Sequence, residues 1–369
     1  MKTPLPFPKS ALIGLVALTA WVGQAAHAQG TEPPLLTPEV LTELLNAFDV
    51  PGVAVATLAS CEVSEVVVAG SATLSPDVAV TPRTAFEAAS LSKPVFAWLF
   101  LSLADEGVVD LDRPLAKTFD YPRIFDKVAY AEITPRMVLT HRTGLPNWVD
   151  ENVEFHDRTA PVPFGAPPAT AYTYSGEAFQ LLQAYVEEVT GETLQNLFRE
   201  RLGEVMPYST FARPLPDGVA PSRGYRTASD PATGRDMTSL RAYGMAAASL
   251  VTTARDYAQF LAHVCTGAGL HADTYADMLR PQSPVPAGEG AAVPTSWGLG
   301  WMLADMGGAT FAGHGGDNNE YRSLAGFIRE SGDGLVVLTN GYNGRALIDV
   351  VASPPETGQD AAETDPEGL

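Results

Sequence analysis

The chain is poor in cysteine, in lysine and in positive charge generally. Two cysteines in 369 residues can build neither a disulfide framework nor a cysteine-rich zinc site. Its 23 Lys+Arg face 43 Asp+Glu, a formal net charge of −20, which disfavours nucleic acid and anionic membrane surfaces as partners. Charged residues make up only 18% and hydrophobic ones 46%, enough for a large core, so wholesale disorder is excluded. The length suggests one large domain or two lobes. There is no Gly-x-Ser-x-Gly elbow and no His-Glu-x-x-His, which disfavours an α/β-hydrolase and a zinc hydrolase. His156, His263 and His271 show no metal-ligand spacing, so neither a metal nor a cofactor is expected. No apolar run reaches the ~20 residues of a membrane span.

The two ends read as lying outside the core. Lys2 and Lys9 accompany an apolar or small stretch of 13 residues at 11–23, and Ala26-His27-Ala28 fits a small-x-small cleavage site. This predicts a signal peptide at 1–28, a periplasmic or secreted protein, and no stable membrane insertion once the leader is removed. In an oxidising compartment Cys61 and Cys265 can pair. They are far apart in sequence, and two separate buried thiols are the expectation. At the other end, 353–369 holds five acidic residues, three prolines and no basic residue, which predicts a disordered acidic tail.

Between the ends, strand patterns occur early and late and helix patterns in the middle. Thr37-Pro38 reads as the cap and first residue of a helix reaching about Asp49. The β-branched runs at 53–58 and 66–69 read as a hairpin. From Ser90 to about Glu106 the pattern is helical and apolar on most sides, which predicts a central helix. Further helices are expected at 136–141, 179–189, 254–264 and 345–352, and strands at 297–303, 322–329 and 335–338 with glycine-rich breaks between them. The stretch 147–169 reads as an irregular loop. The economical arrangement is α/β (α+β): one antiparallel sheet built from both ends of the chain, flanked by helices, with a mostly helical insert. This places a single domain at 29–352, with a sheet lobe from about 35–85 and 245–352 and a helical lobe at about 86–244.

Without the leader only three lysines remain: Lys93, Lys117 and Lys127. Ser90-Leu91-Ser92-Lys93 sets one of them three residues after a serine, on the same face of a helix. A serine hydroxyl is a poor nucleophile until a base takes its proton. A lysine can be that base only when neutral, so burial or nearby positive charge must lower its pKa. The apolar neighbours Val95, Phe96 and Trp98 can supply that burial.

Other signals follow in a fixed order. They are Leu139-Thr140-His141-Arg142-Thr143-Gly144-Leu145-Pro146, Tyr172-Thr173-Tyr174-Ser175-Gly176-Glu177, Trp297-Gly298-Leu299-Gly300-Trp301, Gly313-His314-Gly315-Gly316 and Leu338-Thr339-Asn340-Gly341. The ordered set resembles the serine β-lactamase and penicillin-recognising superfamily, in the branch that also holds esterases and D-amino-acid peptidases. The resemblance runs from about Val50 to Ala352 and implies a β-lactamase-like fold. It implies that Ser90 is the acylated nucleophile, that Lys93 is its general base, and that Tyr174 shuttles protons between them and the leaving group. His314-Gly315-Gly316 match the Lys-Thr-Gly element on the strand beside the site. Backbone N–H groups of Ser90 and Asp317 would form the oxyanion hole.

Two departures matter. Gly176 stands where the family's Tyr-x-Asn element carries a substrate-holding amide. His314 stands where it carries a lysine that grips a carboxylate, and an imidazole of ordinary pKa near 6.5 is mostly neutral at pH 7. Both weaken a β-lactamase or D-Ala/D-amino-acid peptidase reading and leave acyl-enzyme chemistry intact. The preferred expectation is a serine hydrolase of a small-molecule or peptide ester or amide. A β-lactamase or peptidase proper and a non-catalytic sensor on the same fold are the alternatives. His141 is expected to support the site structurally, and Trp148, Trp297 and Trp301 to be core. Tyr172 is expected on the face opposite Tyr174.

Overall fold

The computed structural model describes residues 36–149, 159–237, 239–286 and 293–352. The expected leader at 1–28, the acidic tail at 353–369 and part of the expected loop, 150–158 with His156, lie outside the described residues.

Thr37 caps α1 (Pro38–Phe48) by accepting the Val40 N–H, and Pro38 opens the first turn, where its missing N–H costs nothing. Then β1 (Gly52–Ala59) and β2 (Glu62–Leu74) form an antiparallel hairpin that turns through Ser60 and Cys61, both at positive φ. β3 (Asp77–Ala79) extends it, and β4 (Thr84–Glu87) leaves the sheet. A single 3-10 turn, Ala89–Leu91, leads into α2 (Ser92–Asp105). The middle of the chain holds α3 (Lys127–Tyr130), α4 (Pro135–Leu139), α5 (Gly176–Thr190) and α6 (Leu194–Leu202). Two short strands, β5 (Ala220–Pro221) and β6 (Val251–Thr252), flank β4 in a small second sheet. α7 (Ala254–Cys265), α8 (Ala272–Met278) and β7 (Ser283–Pro284) follow. The last part returns to strands: β8 (Thr295–Trp297), β9 (Met302–Asp305), β10 (Thr310–Asp317), β11 (Arg322–Ile328) and β12 (Gly334–Thr339), closed by α9 (Gly344–Val351).

The main sheet has nine strands in the order β3-β2-β1-β12-β11-β10-β9-β8-β7, every neighbouring pair antiparallel. Pairing of β1 with β12 joins the two ends of the chain, as the sequence pattern implies. Alternation along β1 explains why helices cover both faces. Val53 and Val55 pack with Leu41 and Leu45 of α1 and with Leu347, Ile348 and Val351 of α9. Ala54, Ala56 and Leu58 face the other way, into the cluster that holds α2 and α7. Every residue of α2 from Ser92 to Leu103 is buried, which makes it the central helix. Burying each of its large apolar side chains stabilises the fold by about 1.5–3 kcal/mol.

Three expectations change. The single strand at 297–303 is instead β8, a tight turn and β9, because Gly300 sits at φ +81° against the Ala97 methyl of α2. The glycines around His314, which read as a break by pattern, lie in the middle of β10 as the family resemblance implies. A Cβ on Gly316 would lie 2.1 Å from Ser323 Oγ and 2.4 Å from the Ala88 carbonyl, so the strand can press against the Ser90 turn only without one.

The third change concerns the thiols. Cys61 and Cys265 form a disulfide, with Cα atoms 5.5 Å apart and 204 residues between them in sequence. It ties the hairpin turn to the end of α7, a contact between distant segments that spacing cannot reveal. Closing so long a loop restricts the unfolded chain, so the double Cys61→Ser, Cys265→Ser variant is expected to lose about 2–5 kcal/mol of stability. A urea melt of both forms reads this, and a loss under about 1 kcal/mol would mean that packing alone holds α7.

Candidate active site

Ser90 lies on the 3-10 turn before α2, with Lys93 one turn on. The residue before it, Ala89, has φ +51°, a left-handed conformation that costs a non-glycine residue energy and is held by its surroundings. Ser92 Oγ donates to the Ala89 carbonyl and accepts the Leu250 N–H, while Ser323 Oγ donates to the Ala88 carbonyl. Three segments thereby fix the turn that presents Ser90. Ser90 stays partly open, whereas Lys93 is fully buried.

The Lys93 Nζ donates to Ser90 Oγ at 3.1 Å and to the Ala247 carbonyl at 2.8 Å. It stands 4.8 Å from the Tyr174 ring centre and 5.5 Å from that of Phe179. No ion pair to it occurs among the described residues. Burial without a counter-charge disfavours the ammonium and brings its pKa down from 10.5 to about 7.

Tyr174 stands beside the Ser90–Lys93 pair; burial pushes its phenol well above its usual pKa, and Ser90 opposes this only in part. His141 holds the segment on both sides of Tyr174. Its carbonyl accepts the Thr173 N–H at 2.8 Å, and its Nδ1 accepts the Ser175 N–H at 3.1 Å. An accepting Nδ1 places the proton on Nε2. Burial, then Lys93, then His314 keep this imidazole neutral. The supporting role expected of His141 fits this geometry.

His314 lies on β10, two residues before Gly316, so both face the Ser90 turn. Its Nδ1 is 2.6 Å from the Gly315 carbonyl. A carbonyl only accepts, so Nδ1 carries the proton and the buried Nε2 is an acceptor with no protein partner among the described residues. Burial first, then Lys93, lower its pKa to about 3, against the Gly315 bond. The ordinary value near 6.5 assumed from sequence is therefore replaced by one at which His314 is neutral throughout the physiological range.

The aromatic residues also differ from expectation. Trp297 and Trp301 are buried, as anticipated. Tyr172 is on the same side as Tyr174: both rings meet His141 and Trp297. In an extended segment residues two apart return to one face, which is why the opposite-face expectation fails. Trp148 is half-buried, and a Cβ on Gly176 would lie 2.6 Å from its indole. The place of the expected amide is thus taken by a ring from another segment.

Sequence reading gave no role to the parts that set that ring. Gly176 and Glu177 donate their N–H groups to the Asn147 carbonyl, and Val149 N–H donates to the Glu177 carboxylate. Arg123 grips the same carboxylate with two bonds of 2.8 and 3.2 Å, both residues being buried. At the other margin, Asn318 Nδ2 donates to Glu87 Oε2 at 2.6 Å, which anchors the chain just after Asp317. Among the described residues no group of His, Cys, Asp and Glu can hold a metal ion, and no helix is long and apolar enough to cross a membrane.

The β-lactamase family profile matches residues 39–349. The chain belongs to the β-lactamase family. Among relatives of this β-lactamase-family chain, a protein described as penicillin-binding protein 4 of Amycolatopsis lactamdurans is 26% identical over 317 residues, covering 81% of this chain and 83% of that one. The penicillin-binding protein of Bacillus halodurans superposes with a TM-score of 0.69 at 20% identity, over 84% of this chain and 98% of that one. The D-amino acid amidase of Ochrobactrum anthropi, solved with L-phenylalanine amide, gives 0.67 at 24% identity, over 85% and 97%. At such identities the solved structures show the fold. The family match supports a hydrolase, and the solved neighbours show its β-lactamase and penicillin-binding fold.

Proposed function

We propose that this chain is an exported serine hydrolase that works through an acyl-enzyme on an ester or amide. The observation that carries the reading is Lys93: a fully buried amine 3.1 Å from Ser90 Oγ, with a pKa near 7. A large fraction is neutral at neutral pH, so Nζ can take the Ser90 proton as Oγ bonds to the substrate carbonyl carbon. The N–H groups of Ser90 and Asp317 receive the developing oxyanion, a role supported by the close approach of β10 at Gly316 to the turn before Ser90. The proton then passes through the Tyr174 hydroxyl to the leaving group as its bond to carbon breaks. Water, activated by the same pair, releases the acid and restores Ser90. Export is supported by the 1–28 pattern and by the Cys61–Cys265 bond, which persists in an oxidising compartment.

A fluorophosphonate should label the protein once, at Ser90 by peptide mapping; absence of label under all conditions would favour a sensor.

The site also favours esters and simple amides over β-lactams. A neutral, accepting His314 cannot grip a carboxylate, and no amide stands at Gly176. Losing a charge-assisted and a neutral hydrogen bond costs about 2.5–4 kcal/mol together, roughly a hundred- to a thousandfold in kcat/KM. Nitrocefin should therefore trail a short-chain p-nitrophenyl ester by that factor, at pH 5.5 as well as at 7.5, because His314 does not protonate between them. A nitrocefin value at pH 7.5 equal to that of the ester would return the chain to the β-lactamases proper.

A further inference from the structure

We propose that Trp148 forms the wall of an acyl subsite that takes a flat apolar substituent, of the arylacetyl type, beside the scissile carbonyl. The proposal rests on the acyl-enzyme reading above and adds the substrate class.

Ser175 between Tyr174 and Gly176 is extended, φ −141° and ψ 117°, so positions 174 and 176 face the same side. Tyr174 on that side borders the Ser90–Lys93 pair, with Lys93 Nζ 4.8 Å from its ring centre. A Cβ on Gly176 would lie 2.6 to 2.9 Å from three atoms of the Trp148 six-membered ring edge and its junction. The indole therefore takes the space of a side chain at position 176, two residues beyond Tyr174. Glycine at 176 is what admits it.

The backbone on both sides of the ring is also held. The Asn147 carbonyl before it accepts two N–H groups from the start of α5. The Val149 N–H after it donates to Glu177, which Arg123 pins in turn. The Tyr172 and Trp297 rings stack at 6.4 Å with planes 18° apart, and Trp297 also meets the Tyr174 ring. An indole offers a large flat area and a π-face with a single N–H donor at its edge, which suits a flat aryl group.

The test compares kcat/KM for p-nitrophenyl phenylacetate and p-nitrophenyl acetate. The wild type should favour the phenylacetate by at least about tenfold, Trp148→Ala should bring the ratio within about threefold of unity, and Trp148→Phe should keep most of the preference. Gly176→Ala, whose methyl displaces the indole, should also lower the ratio. Fluorophosphonate labelling of Ser90 in each variant shows that the site is still assembled. A wild type that labels but shows no aryl preference, or a labelled Trp148→Ala with an unchanged ratio, overturns the subsite alone. A wild type that is not labelled at Ser90 overturns the acyl-enzyme reading and the subsite with it. If Trp148→Ala does not fold, a labelled Trp148→Phe or Gly176→Ala decides: an unaltered ratio in Gly176→Ala overturns the proposal.

Discussion

Replacing Ser90 by alanine is expected to lower kcat on p-nitrophenyl esters by at least about a thousandfold while leaving the fold intact. The hydroxyl is partly open and accepts from Lys93, so its loss strands little. Lys93 keeps the Ala247 carbonyl. The melting transition should accordingly move by no more than about 1 kcal/mol. The neighbouring Ser92 is the natural control. Its hydroxyl bridges the Ala89 carbonyl and the Leu250 N–H and does not reach Lys93, so Ser92→Ala should weaken the turn and the fold but retain fluorophosphonate labelling at Ser90. Residual activity of Ser90→Ala above a tenth of wild type would reject it as the nucleophile.

What the sequence made legible follows range of contact. Ser90 and Lys93 are three residues apart, and helical geometry alone brings them together. The caps of α1 and α7 are equally local: Thr37 and Thr253 each accept an N–H three residues on. The sheet joining both ends of the chain was legible from the order of strand and helix patterns, and Tyr174 and His314 from the ordered motifs. What stayed hidden depends on distant approach. The Ala247 carbonyl that holds Lys93 is 154 residues from it, Arg123 and Glu177 are 54 apart, and the two cysteines 204. Composition and spacing carry no signal for such pairs. The tautomer of His314 is set by one bond to the next residue, yet its pKa is set by burial, which only the folded chain defines. Gly176 shows a further limit. A missing side chain is legible, but that an indole from position 148 fills its place is not.

Replacing Lys93 by arginine is expected to be as damaging as replacing it by alanine, each lowering kcat/KM by about two to four orders of magnitude. Arginine keeps the charge but does not release its proton, so it cannot serve as a base. It would also carry a permanent cation into a fully buried position where no carboxylate partners the lysine among the described residues. The pH dependence supplies an independent reading. Because burial sets the Lys93 pKa near 7, kcat/KM of the wild type should rise with pH, with an apparent pKa near 7, and level off above it. About a tenth of the base is neutral one unit below that pKa and about nine-tenths one unit above. His314 titrates near 3 and Tyr174 well above its usual value, so neither moves this limb. Stability follows with a fixed sign. Between about 7 and 10.5 the unfolded chain holds a proton on this lysine that the folded chain has released, so the folded state gains stability as pH rises through that window. Lys93→Met should abolish both the kinetic limb and this rise. A Lys93→Arg enzyme with more than a tenth of wild-type activity would make Lys93 an electrostatic helper, and a rising limb near 10 would show that the folded protein leaves its amine unperturbed.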